Sequence, residues 1–152
     1  MSESVERIRR QIKDKQIQKI ITMEPGRYLD ALVAEYVFGY HVEKRNPGLD
    51  EPEDYWFRPH AAIKMLGELE IERVPNYSTV LYSAVQILPM FKHWSLQGNS
   101  ETGSVNARFS NGGDSETGVI ACASIPEAIC KAALITLVEE NRLLDKLLED
   151  GQ

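Results

Sequence analysis

Aromatic rings and cations fall together at several points along the chain: Trp56 with Arg58, His60 with Lys64, Tyr77 with Ser78, Lys44 with Arg45, and Arg108 in a segment of strand character. A phosphorylated or nucleotide-type ligand wants such combinations, with an aromatic plane for the base and a few cations or N–H donors for phosphate. Trp56, Arg58, His60, Lys64, Tyr77, Ser78 and Arg108 are therefore the candidate ligand-binding residues. Each also has a plainer reading. Trp56 can anchor a loop to the core, Tyr77 can staple the start of a helix, and Arg108 can project to the polar side of a sheet. The segment from Tyr55 to His60 stands out, because an irregular stretch of more than about 15 residues in a small domain often carries function.

Reaction chemistry finds less support. A hydrolase needs a base within reach of its nucleophile and a third group to hold that base. Here the three histidines, His41, His60 and His93, lie in three different contexts. The chain has no GxxxxGK[ST], no GxGxxG and no HExxH. The glycine-rich stretch Asn111 to Asp114 joins two strands, so it lacks the helix start that makes a phosphate loop work. Cys122 and Cys130 have no CxxC spacing and read as buried reduced thiols. A non-enzymatic protein without metal or cofactor is expected.

Charge narrows the partners. The net charge is −6, and the one basic cluster (Arg7, Arg9, Arg10, Lys13, Lys15, Lys19) is diluted by Glu3, Glu6 and Asp14. That pattern is a solvated helix face and excludes the broad basic footprint of a duplex-DNA binder. With 152 residues, 43% of them hydrophobic, the chain can bury one real core. No apolar run approaches the roughly 18 residues of a membrane span. The start, MSESVERIRRQIKDK, lacks the apolar centre of a signal peptide, so an intracellular protein is expected.

The elements that must position these residues follow from periodicity. Residues 3 to 21 predict a charged amphipathic helix with Val5, Ile8 and Ile12 on one stripe, an arm suited to packing on a partner. A second helix runs from Arg27 or Tyr28 through Leu29, Leu32, Val33, Tyr36 and Val37, with Gly39 as its stop. Three prolines, a Pro47-Gly48 turn and the acids Asp50, Glu51, Glu53 and Asp54 make 41–59 a loop. A short helix is expected from His60 to Gly67, and 69–74 reads either as a strand or as an extension of that helix. Ser78 or Asn76 would cap a helix to about Phe91, with Val80, Ala84, Ile87, Leu88 and Phe91 inward and Pro89 fraying its end. Strands near His93 to Gln97, Ser104 to Phe109 and Thr117 to Ala123 form an antiparallel meander. Ser124 and Glu127 form a capping box for the last helix, with Pro126 in its first turn. Beyond the core, Leu134, Leu137, Asn141, Leu144 and Leu148 recur at spacings of three and four, a seam with one asparagine that would drive self-association.

Three blocks also carry a resemblance: LDALVAEYVFGY from Leu29, NYST from Asn76, and PEAICKAAL from Pro126. Over roughly Arg27 to Val138 the chain resembles the phage ABA-sandwich domain family. That likeness implies an α+β fold, a three-layer αβα sandwich with a small, mostly antiparallel sheet. Where the family carries an acid after Tyr-Ser-Thr, this chain has Val80. The domains expected are a helical arm at 1–24, the sandwich core at 25–138 and a helical extension for oligomerisation at 139–152. The setting implied is a phage accessory protein in the host cytoplasm. Two functions fit: an oligomeric, non-enzymatic sponge for a cyclic nucleotide or ADP-ribose-type signal of host defence, or an inhibitor that binds a host or phage protein through its terminal helices and acidic loop.

Overall fold

Helix α4 (Ile125–Glu139) is the centre of the structure, and its sequence explains why. From Pro126 to Val138 every residue is buried, so the helix is enclosed all round rather than on one face. The meander sheet covers one side, and the chain's other helices cover the rest. The computed structural model describes residues 2–45, 53–57, 71–111, 117–140, 142 and 144. The start of α4 is as the residues dictate: Ser124 is the N-cap, and its side chain accepts from the Glu127 N–H at 3.3 Å. The capping box is only half made, because the Glu127 carboxylate turns instead to Lys131 Nζ at 2.7 Å. Lys131 is itself buried and also donates to the carbonyl of Ile21 at 2.8 Å. That ion pair fastens the end of α1 (Ser2–Thr22) to α4.

Helix α1 meets the core through its second half, where Gln16 and Ile20 are buried, while Val5 and Ile8 at its start are exposed. The seam expected to continue α4 is absent over its described part. Glu140 closes the helix, accepting no further turn, and Arg142 N–H reaches back to the Leu137 carbonyl at 2.9 Å. Leu134, Leu137 and Leu144 are buried in the chain's own core. Leu144 is clasped by Gln16, which donates to its carbonyl at 3.2 Å and accepts from its N–H at 3.1 Å. Asn141 and Leu148 lie outside the described residues.

The fold is α+β, and among the described residues its strands form two antiparallel sheets of three. Strands β4 (His93–Asn99), β5 (Ser104–Ser110) and β6 (Thr117–Cys122) make the expected meander. The stretch read as a loop holds two more strands, β1 (Val42–Arg45) and β2 (Asp54–Phe57). β3 (Glu72–Arg73) completes their sheet, so the described end of 69–74 is strand. Polar Val42-Glu43-Lys44-Arg45 gives no alternating pattern. Its pairing with β2 is tertiary, seated by buried Val42 opposite buried Phe57.

Helix α2 (Arg27–Leu32) runs into a π-helical turn (Val33–Val37) and stops at Gly39, whose φ of +76° suits glycine. This turn presents Phe38, which stacks on Tyr77 at 5.2 Å and on Tyr40 at 5.6 Å, and Tyr40 stacks on Phe57 at 4.6 Å. The column joins α2 to the first sheet. The helix expected to run to Phe91 is only a turn of α3 (Leu81–Ala84) followed by 3₁₀ structure (Val85–Met90). Pro89 explains the tighter winding, since it removes an N–H that an α-helix would use. The N-cap is Val80, with no side-chain bond, and Val80 is exposed rather than inward. Ala84, Ile87, Leu88 and Phe91 are buried as expected.

Candidate functional site

The segments around Arg27, Asp54 and Ser78 converge at one corner, held by a network of charged and polar side chains. Asp30 is buried in α2 among apolar neighbours. Its Oδ1 accepts the Ser78 N–H at 2.7 Å and the Ser78 hydroxyl at 2.6 Å, and its Oδ2 accepts Arg27 Nη1 at 3.1 Å. The Ser78 oxygen accepts the Gly26 N–H at 2.9 Å. Arg27 Nη1 also donates to Asn76 Oδ1 at 2.8 Å, and Arg27 Nε donates to Asp54 Oδ1 at 2.8 Å. Arg73 Nε lies 3.2 Å from the other oxygen of Asp54.

The first sheet sets the geometry beside this network. Arg73 is the cross-strand partner of Trp56, and Asp54 lies two residues before Trp56 on β2. Alternation along a strand and pairing across it put all three side chains on one face. The Arg73 guanidinium sits over the indole, 5.3 Å from the ring. Two N–H donors in this cluster, Arg27 Nη2 and Trp56 Nε1, are buried and find no hydrogen-bond acceptor among the described residues. Buried donors are nearly always paired, so two together ask for an acceptor.

Electrostatics separates the two carboxylates. Burial raises Asp30 above the ordinary carboxylate value, opposed by its bonds from Ser78 and by Arg27. Burial pushes Asp54 the same way, but Arg27, the Tyr55 N–H and Arg73 together hold it below that value. Burial also pushes the Tyr77 phenol up, and the Cys130 thiol well up. Cys122 and Cys130 are buried and unbridged. No three His, Cys, Asp or Glu among the described residues group as metal ligands, and no helix there is long and apolar enough to cross a membrane.

The described residues among those singled out from sequence are not gathered into one pocket. Trp56 stands in the arginine cluster. Ser78 is buried and serves Asp30, and Tyr77 is a buried member of the aromatic column. Arg108 is exposed on the other sheet, beside a shallow hollow of about 50 Å³ lined also by His93 and Trp94. Arg58, His60 and Lys64 lie outside the described residues. Sequence reasoning missed Arg27, Asp30, Asp54 and Arg73. One signal was there: an aspartate inside the apolar run Leu29 to Ala34 must be buried with partners.

The phage ABA sandwich domain matches residues 31–134. The chain belongs to this family. A 2.0 Å crystal structure of a phage protein from Bacillus cereus ATCC 14579 shares the ABA-sandwich fold at 22% identity and a TM-score of 0.54, covering 76% of this chain and 93% of that one. No curated protein matches significantly. In this phage ABA-sandwich protein, Asp30 and Ser78 join helix α2 to the Asn76 to Thr79 turn.

Proposed function

We propose that this phage ABA-sandwich protein is a non-enzymatic, oligomeric accessory protein of the host cytoplasm. It binds a small nucleotide-type ligand at the Trp56 corner and so sequesters a signal of host defence. The observation that carries the reading is the pair of buried donors, Arg27 Nη2 and Trp56 Nε1, that meet no acceptor among the described residues, in the cluster that holds the Arg73 guanidinium. A phosphate oxygen is the acceptor such donors suit best. The partly buried indole is the aromatic plane on which a base would stack.

A thermal-shift panel of cyclic nucleotides, cyclic ADP-ribose isomers and their linear products tests this. A ligand at 100 times its dissociation constant adds about 2.7 kcal/mol of stability. Trp56→Phe keeps the ring but loses the N–H, and Arg73→Gln loses the cation. Both should weaken the shift, and the ligand should be recovered unchanged. A shift indifferent to both variants, or none across the panel, overturns the reading. A second reading, an inhibitor that grips a protein partner, is favoured by one observation: Val5 and Ile8 stand exposed, 50% and 56%, on α1.

A further inference from the structure

The surface from Val80 to Trp94 is unusual for this chain. Val80 is 42% exposed, Leu81 50%, Tyr82 78%, Met90 47% and Trp94 50%. These are large apolar side chains on one continuous segment, α3, the 3₁₀ turns and the start of β4. Between Val74 and Ser100 the one charged side chain is Lys92, with His93 beside it, whereas charged residues make up 26% of the whole chain. The Phe91 ring packs tilted against Phe109 at 4.4 Å, and Phe109 is the cross-strand partner of Trp94. The 3₁₀ segment therefore ends against the same sheet edge that carries Trp94.

That edge is open. Among the described residues β4 pairs with β5 alone, and all its residues but Leu96 are exposed. Edge strands usually carry lysine, an acid, proline or a bulge that discourages pairing. β4, HWSLQGN, has none of those residue types, and its register with β5 is unbroken.

We propose that this surface docks a second copy of the chain, β4 against β4, as a two-fold dimer. Charge selects the occupant. Each copy carries −6, so two copies repel wherever their acids face, and they approach at least cost through a segment that carries no acids. Antiparallel pairing of one edge with its own copy is self-complementary, so the assembly closes at two and leaves no open template. Tyr82 and Trp94 of each copy become covered by the partner. The surface is separate from the Trp56 corner, so dimerisation and ligand binding stand or fall independently.

Light scattering of the full chain over a dilution series is the test. A mass of two 17.2 kDa copies is expected. The double variant Leu81→Asp/Tyr82→Asp should be a monomer at the same concentrations with an unchanged circular dichroism spectrum. Gln97→Lys, which adds a charge to the edge, should raise the dimer dissociation constant at least about tenfold. A monomeric wild-type chain overturns the proposal. So does a dimer that survives these variants but dissociates on Ile8→Glu, which would place the interface on α1. A dimer lost in the double variant but untouched by Gln97→Lys overturns the edge pairing.

Discussion

Replacing Asp30 probes the corner most directly, because one carboxylate there serves three donors. Asp30→Ala strands them unequally. The Ser78 hydroxyl can turn to the Gly26 carbonyl, 3.2 Å away, and Arg27 Nη1 keeps Asn76 at 2.8 Å. The Ser78 N–H, 2.7 Å from the lost oxygen, has no second acceptor among the described residues. An orphaned buried N–H costs about 1–3 kcal/mol, and the lost charge-assisted bonds add to it. The expected loss is about 2–4 kcal/mol, a large share of a typical stability of about 5–15 kcal/mol. Asp30→Asn still offers Oδ1 to Ser78 but turns an NH₂ toward Arg27, so it should lose about 1–2 kcal/mol. Urea unfolding of both variants measures this, with the slope unchanged if the compactness of the two states is preserved. A loss under about 0.5 kcal/mol for Asp30→Ala, or a greater loss for Asp30→Asn, would refute the reasoning.

Two further outcomes follow from the same chemistry. Asp54 is held below its ordinary value of 3.8, so its contribution is present above that pH and is lost as pH falls through its folded value. Asp30 is raised, so between 3.8 and its folded value the native state binds the extra proton and gains stability as pH falls. Stability followed across this boundary should therefore lose part of its fall below pH 3.8 in Asp54→Asn, and lose its gain on acidification above pH 3.8 in Asp30→Asn. Lys131→Ala should cost about 3–5 kcal/mol, since it leaves Glu127 and the Ile21 carbonyl buried without their cation. The double change Lys131→Met/Glu127→Leu should recover most of that loss in calorimetry, and failure to recover would assign the cost to packing.

The sequence alone determined what is local. Ser124 and Pro126 started α4 because capping needs only the residues beside it, and Gly39 ended its helix because a positive φ needs glycine. The meander was legible because turn residues separate three runs of strand character. What the tertiary structure decided is what depends on distant partners. β1 and β2 exist because Val42 and Phe57 bury together, which no pattern in 41–59 reveals. Leu144 is buried in the chain's own core, where Gln16, some 128 residues away, satisfies both of its backbone groups. Most of all, Arg27, Asp54, Trp56 and Arg73 are scattered over 46 positions and meet only when α2 and two strands pack. A helix or a turn is written in neighbouring residues, whereas a site made by cross-strand pairing and a buried carboxylate takes shape only when the chain folds back on itself.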